Sequence, residues 1–218
     1  ANLVSAGFTF VKVPESIRFE LTGALNEGCT AKDVILHILA DHARKELTLN
    51  RSMEFGGPGL ASLSADERAT LCNMATECSA RTGICEADDI LYDWMEGQMP
   101  HLDMDEQRRR SIAPDEGAVY HGGVHHIDLS SIRPMVAHPG DPDKGIPSDP
   151  TNGAYIDDIG DVSIDIAYGG SCTAGKIDDI AYYAQVCQVA KDQGLSVKEG
   201  VDFYIQYGSG IVKDMAVT

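Results

Sequence analysis

Apolar and polar residues alternate from Ser16 to Gly23 (Ser-Ile-Arg-Phe-Glu-Leu-Thr-Gly), the period of a half-buried strand. Asn26-Glu27-Gly28 then reads as a turn. Thr30-Ala31-Lys32-Asp33 has the spacing of a capping box with Asp in place of Glu. Val34, Ile35, Ile38 and Leu39 follow at helical spacing, so a helix is expected to about Ala43. Ser52-Met53-Glu54-Phe55 is a short candidate strand, and Gly56-Gly57-Pro58-Gly59 excludes a helix interior. Ser64-Ala65-Asp66-Glu67 is a second capping box. No breaker intervenes before Gly83, so its helix is expected to continue through Ala80. A short helix is expected from Asp88 to Met95, and Met104 to Arg110 reads as an exposed charged helix or linker.

From Asp128 to Asn152 the pattern changes. Pro134, Pro139, Pro142, Pro147 and Pro150, with Gly140 and Gly145 between them, predict an extended connector. Beyond it the spacing predicts a strand (Val162 to Tyr168), a helix (Ile177 to Gln193), a second strand (Val201 to Tyr207) and a helix start after Gly208-Ser209-Gly210. A β-α-β-α order implies a parallel sheet with helical crossovers. The expected class is therefore α/β in two units. Residues 1–112 form a small α/β domain. Residues 113–218 form the connector and the opening of a parallel-sheet domain. Two strands make a poor independent parallel sheet, so the chain is expected to be part of a longer protein.

Composition narrows the function. With 218 residues and 43% hydrophobic content a real core is possible. The 34 acidic against 17 basic residues give a net charge of −17, which disfavours nucleic acid as a partner. No stretch approaches the ~20 apolar residues of a membrane span, and the N-terminal residues lack a signal-peptide pattern. The six cysteines (Cys29, Cys72, Cys78, Cys85, Cys172 and Cys187) are too sparse for a disulfide scaffold and contain no C-x-x-C. They are read as reduced thiols, and the location as cytoplasmic.

The chemistry concentrates in two places. Cys172 sits in Gly169-Gly170-Ser171-Cys172-Thr173-Ala174-Gly175-Lys176, at the exit of a strand and the opening of a helix. A helix N-terminus favours a thiolate. Such a cysteine serves as a nucleophile, a metal ligand, an iron–sulfur ligand or simply a small buried hydrophobe. Asn73 and Glu77, four apart on the second capped helix, are expected on one face. They read either as a surface pair or as a carboxylate and an amide presented into a polar pocket. His125 and His126 point to opposite sides of an extended segment and so do not share one metal. His37 and His42 are expected on a helix surface. Glycines 169, 170 and 175 leave room for backbone beside a ligand.

These segments together resemble the aconitase and isopropylmalate isomerase superfamily. The resemblance rests on four motifs in the family's order. Gly57-Pro58-Gly59 precedes a helix with a C-N-M-x-x-E core, here Cys72-Asn73-Met74-Ala75-Thr76-Glu77. Ile17 to Val34 resembles the strand, L-T-G turn and T-x-K-D-V-I-L helix upstream. Ile127-Asp128-Leu129-Ser130 with Pro134-Met135-Val136-Ala137-His138-Pro139 resembles the connector. Gly170-Ser171-Cys172-Thr173 resembles the cluster-cysteine motif.

The resemblance implies a [4Fe-4S] hydro-lyase, in which three cysteines hold the cluster and one iron acts as a Lewis acid. It implies Cys172 as one metal ligand, Asn73 as a cofactor-binding and catalytic residue beside the cluster sulfurs, and Glu77 as a catalytic residue near the departing hydroxyl. The family's other two ligands lie in a later C-x-x-C that this chain lacks, as it lacks the substrate-binding arginines. Remaining domains or a second subunit are expected to supply them. Ala174 stands where Asn is frequent, and residues 45–50 replace a glycine-rich turn. This chain alone is therefore expected to hold no cluster and to be inactive. The expected substrate is a di- or tricarboxylic acid, citrate to isocitrate first, with 3-isopropylmalate or homoaconitate isomerisation as the alternative. A non-catalytic binding or subunit module is the alternative of another class.

Overall fold

The computed structural model describes residues 2–146 and 149–217; Pro147 of the connector lies outside them. The elements run α1 (Asn2–Ala6), β1 (Ser16–Thr22), α2 (Ala31–Asp41), β2 (Ser52–Gly56), α3 (Ala65–Asn73), β3 (Thr82–Cys85), α4 (Asp89–Gln98), α5 (Met104–Arg110) and β4 (Val124–Asp128). They continue with β5 (Met135–Ala137), β6 (Gly153–Tyr155), β7 (Ile166–Gly169), α6 (Ser171–Ala174), α7 (Ile177–Asp192), β8 (Asp202–Ile205) and α8 (Gly210–Val217). No helix among the described residues is long and apolar enough to cross a membrane.

The class is α/β, built on a four-stranded sheet of order β3-β2-β1-β4. All its pairings are parallel, with Phe19 beside Phe55 on one side and His125 on the other. Alternation in β1 puts Ile17, Phe19 and Leu21 wholly inside. They meet Val34, Ile35 and Ile38 of α2, Met53 and Phe55 of β2, Leu71 of α3 and Ile127 of β4 in one core. Fully burying a side chain of this kind is worth about 1.5–3 kcal/mol. Strand β4 lies past the expected boundary at 112/113 and pairs in this first sheet. A separate two-stranded parallel sheet joins β7 to β8, in register Ile166 to Asp202.

Both capping boxes form as the spacing predicts. Thr30 Oγ1 accepts from the Lys32 amide, and Asp33 accepts from the Thr30 amide at 2.8 Å. Asp33 also accepts from the amide of Met135 at 2.7 Å, so the cap of α2 pins the connector. Ser64 accepts from Glu67 and Glu67 from Ser64. Gly57 takes φ +90°, and a Cβ there would lie 2.6 Å from the Leu21 carbonyl, so the Gly-Pro-Gly turn needs glycine to pass beside β1.

Three expectations change. The helix begun at Ser64 ends at Asn73 instead of Ala80. Its next turns leave the α pattern: the Ala75 amide bonds to the Cys72 carbonyl, that of Ser79 to Thr76 and that of Ala80 to Ala75, with Ser79 left-handed at φ +58°. Thr48 Oγ1 and the Asn50 amide donate to the carbonyls of Cys78 and Ser79 beyond them. Asn73 is thus the last helical residue, and Glu77 lies in the turns beyond it. His42 is buried instead of lying on the helix surface, its ring edge-on to Phe19 (5.2 Å) and His125 (4.8 Å). The glycines at 170 and 175 serve close backbone packing against Gln206 and Gly208.

Burial pushes the His42 pKa down to about 4, against the pull of Asp41 and with His125, His37 and Lys45 adding to the fall. The unfolded imidazole titrates near 6.5, so the unfolded chain binds a proton that the folded chain refuses between these values. The stabilisation is full above about pH 6.5 and is lost as pH falls toward 4. Unfolding free energy should drop by about 2 kcal/mol between about pH 7 and about pH 5 from this group. Urea denaturation of His42→Phe, run beside the wild type, should show that part of the slope removed; equal slopes would contradict the assignment.

Candidate functional site

The exit of β7 turns abruptly. Gly170 takes φ +132°, and a Cβ there would run into the Gln206 carbonyl oxygen. Ser171 follows at φ +73°, a left-handed conformation that costs a residue with a Cβ about 1–2 kcal/mol. This turn lifts Cys172 onto the surface, where its thiol is exposed. The short helix α6 then ends at Gly175, whose carbonyl accepts from the Gly208 amide at 2.7 Å. Tyr183 Oη closes the loop by donating to the Ala174 carbonyl at 2.9 Å.

The loop is docked on α3. Asn73 Nδ2 donates to Thr173 Oγ1 at 2.7 Å, across 100 positions of sequence. Lys176 Nζ donates to Thr70 Oγ1 at 2.9 Å, to Asp179 Oδ2 at 2.8 Å and to the Thr173 carbonyl. Ser64 Oγ donates to Asp178 Oδ2 at 2.7 Å, and the Asp178 amide reaches Asp66 Oδ2 at 3.4 Å. Burial pushes the carboxyls of Asp66 and Glu67 above the usual range.

The Cys172 thiol is held below its ordinary pKa, first by the Asn73 amide and then by the Thr173 hydroxyl, whose oxygen lies 4.0 Å from Sγ. The expected cause was a helix N-terminus. Helix α6 has only four residues, so the side-chain amide of Asn73 takes over that role. Asn73 and Cys172 meet through Thr173, whose hydroxyl accepts from Asn73 and lies 4.0 Å from Sγ. Glu77 is exposed, and among the described residues it makes no hydrogen bond to Cys172. It lines a pocket of about 560 Å³ with Lys32, Tyr168, Ser171, Thr173 and Tyr182.

An accessible thiol of lowered pKa beside an amide donor suits one ligand of an iron–sulfur cluster. Among the described residues no three His, Cys, Asp or Glu side chains converge to hold a metal. Cys172 fits as one ligand, and the set is incomplete here. Thr70, Thr173 and Lys176 carry the docking and were not singled out from the sequence. No helical or strand period links Thr70 to the other two, which lie 103 and 106 residues away in sequence.

Comparison with known proteins gives a consistent picture. Residues 3–218 match the Aconitase family (aconitate hydratase). The chain is 32% identical to "Homoaconitase, mitochondrial" of Mycosarcoma maydis, over 98% of this chain and 30% of that protein. It is 35% identical to the 3-isopropylmalate dehydratase large subunit of Acetivibrio thermocellus, over 86% of this chain and 41% of the relative. It is 38% identical to the 2,3-dimethylmalate dehydratase large subunit of Eubacterium barkeri, over 91% of this chain and 42% of the relative. The chain thus spans less than half the length of each of these three relatives.

If the Asn73 amide holds the Cys172 thiol down, Asn73→Ala should raise that pKa toward its ordinary value. The pH dependence of Cys172 alkylation by iodoacetamide, followed by peptide mass spectrometry, should shift upward in the variant. An unmoved profile would show that Asn73 does not tune the thiol.

Proposed function

The chain belongs to the aconitase family, and from that premise we propose that the protein containing it is an iron–sulfur hydro-lyase that isomerises a 2-substituted malate by dehydration and rehydration. The observation that carries the reading is the contact of Asn73 with Thr173 beside Cys172. Two separate motifs meet there around one exposed thiol of lowered pKa. A purely structural cysteine has no need of that arrangement.

The substrate reading moves from citrate to the alternative. Relatives named 3-isopropylmalate dehydratase, 2,3-dimethylmalate dehydratase and homoaconitase favour a malate carrying an alkyl arm, or a carboxyalkyl arm longer than the carboxymethyl of citrate. In this proposal the division near 112/113 separates the unit carrying Asn73 and Glu77 from the one carrying Cys172, with β4 returning to the first sheet. A small-subunit partner is proposed because two of the three relatives are named large subunits. Other parts of the protein or that partner supply the two further cysteines and the arginines for the substrate carboxylates.

When bound, the [4Fe-4S] cluster supplies a Lewis-acidic iron for the substrate's hydroxyl and carboxylate. Cys172 contributes one thiolate, and Asn73 keeps it anionic and oriented. The Glu77 carboxyl faces the pocket beside Ser171 and Thr173. There it hands a proton to the hydroxyl oxygen that leaves and takes one back from the water that returns. Lys176 holds the loop against α3, so Cys172 and Asn73 keep their spacing.

In the full-length protein with its partner, Glu77→Gln should keep its iron and lose roughly 10²-fold or more in kcat. Unchanged turnover would return Glu77 to a surface role. Cys172→Ser should lose iron and labile sulfide together; wild-type iron content would remove Cys172 as a ligand. Assayed side by side, 3-isopropylmalate or homoaconitate should turn over in preference to citrate. The reverse preference would restore the citrate reading.

A further inference from the structure

Two cysteines outside the Cys172 site face one another. Cys72, near the end of α3, has its Sγ 3.6 Å from Sγ of Cys85, the last residue of the edge strand β3. The backbones hold them there. A Cβ at Gly83 would lie 2.7 Å from the Cα of Cys72, so β3 crosses α3 with no side chain between them. Both thiols are half-buried. Cys85 lines a pocket of about 450 Å³ beside Arg18, Glu86 and Tyr120, which gives a small reagent a way in. Its thiol is also within 3.8 Å of the Arg68 carbonyl.

The other cysteines lack this arrangement. Cys78 is sealed in the core, and burial pushes its pKa up to about 12. Cys29 is buried and donates to the Ile132 carbonyl at 3.4 Å. Cys172 and Cys187 are exposed, on α6 and α7. A disulfide requires the sulfurs to close to about 2.05 Å. From 3.6 Å, the two sulfurs have about 1.5 Å left to close.

We propose that Cys72 and Cys85 form a peroxide-oxidisable dithiol, a modification site that joins α3 to β3 by a reversible disulfide. The proposal stands independently of the hydro-lyase reading. The Cys72 thiolate attacks one oxygen of hydrogen peroxide. The O–O bond breaks, and the departing hydroxide takes a proton to become water. Cys72 is then a sulfenic acid. The Cys85 sulfur attacks the Cys72 sulfur, an S–S bond forms, the S–O bond breaks, and a second water leaves. In sum two thiols are oxidised, one peroxide is reduced and two waters form. Exchange with a dithiol reductant reverses it. The link would sit one residue from Asn73, and so at the foot of the Cys172 site.

The test is thiol mapping on the full-length protein. The sample is treated with a small excess of hydrogen peroxide, blocked with N-ethylmaleimide and digested with trypsin. The expected product is the Ala69–Arg81 peptide joined to the Thr82–Arg108 peptide, with alkylation of Cys72 and Cys85 lost together and restored by dithiothreitol. Fragmentation separates Cys72 from Cys78 within the first peptide. In Cys85→Ala the joined species should vanish, leaving Cys72 as a sulfenic acid trapped by dimedone. Continued alkylation of both thiols in the wild type would overturn the proposal. So would joining of the first peptide to Cys172 or Cys187, or linkage through Cys78.

Discussion

One nearly buried ammonium group holds the two halves of the site together. Lys176 is 16% exposed, and its three donors are spent on Thr70 of α3, on the Thr173 carbonyl of the cysteine loop and on Asp179 of α7. An ammonium has three N–H donors, and all three are matched. Around it stand Asp66, Glu67, Asp178 and Asp179, with the first two already pushed toward the neutral form by burial. Without the cation these carboxylates would face one another across the joint between the first sheet's helices and the β7–α7 unit. With it they become acceptors that fix the loop on the helix.

That joint explains why the thiol is tuned by a side chain instead of a helix end. A docked loop brings Thr173 within 2.7 Å of Asn73, beside the Cys172 thiol, whose pKa that amide lowers. The arrangement separates two tasks. Gly170 and Ser171 spend backbone strain to expose the sulfur. Asn73, at the end of α3, lowers its pKa. Because Asn73 terminates its helix, its position depends on where α3 ends. The switch from α-helical to tighter and wider bonds across residues 72–80 is thus part of the site's construction.

Local rules made some of this legible in the sequence. The capping boxes at Thr30 and Ser64, the alternation of Ser16 to Thr22 and the long helix α7 all follow from spacing over a few residues, and all formed. The end of α3 did not follow, because no glycine or proline marks it between Asn73 and Ala80. Strands β3 and β4 were also missed. Thr82-Gly83-Ile84-Cys85 is short and holds a glycine, and Val124-His125-His126-Ile127-Asp128 carries two adjacent histidines. Their extended conformation is fixed by pairing in the sheet, not by their own preferences. His42 looked like a surface residue because a histidine at a helix end has no local mark of burial; Phe19 and His125, from two strands, supply it. Asn73, Glu77 and Cys172 were assembled from the sequence only through the family resemblance. No periodicity joins positions a hundred residues apart.

The central claim is that Cys172, prepared by Asn73, is the thiolate this chain gives to a shared iron–sulfur centre. The most direct measurement is the alkylation rate of each cysteine in the full-length protein and its partner, before and after anaerobic reconstitution with iron and sulfide. The account predicts that Cys172 passes from the fast class to full protection on reconstitution, while exposed Cys187 keeps its rate. Equal alkylation of Cys172 in the two states would contradict it.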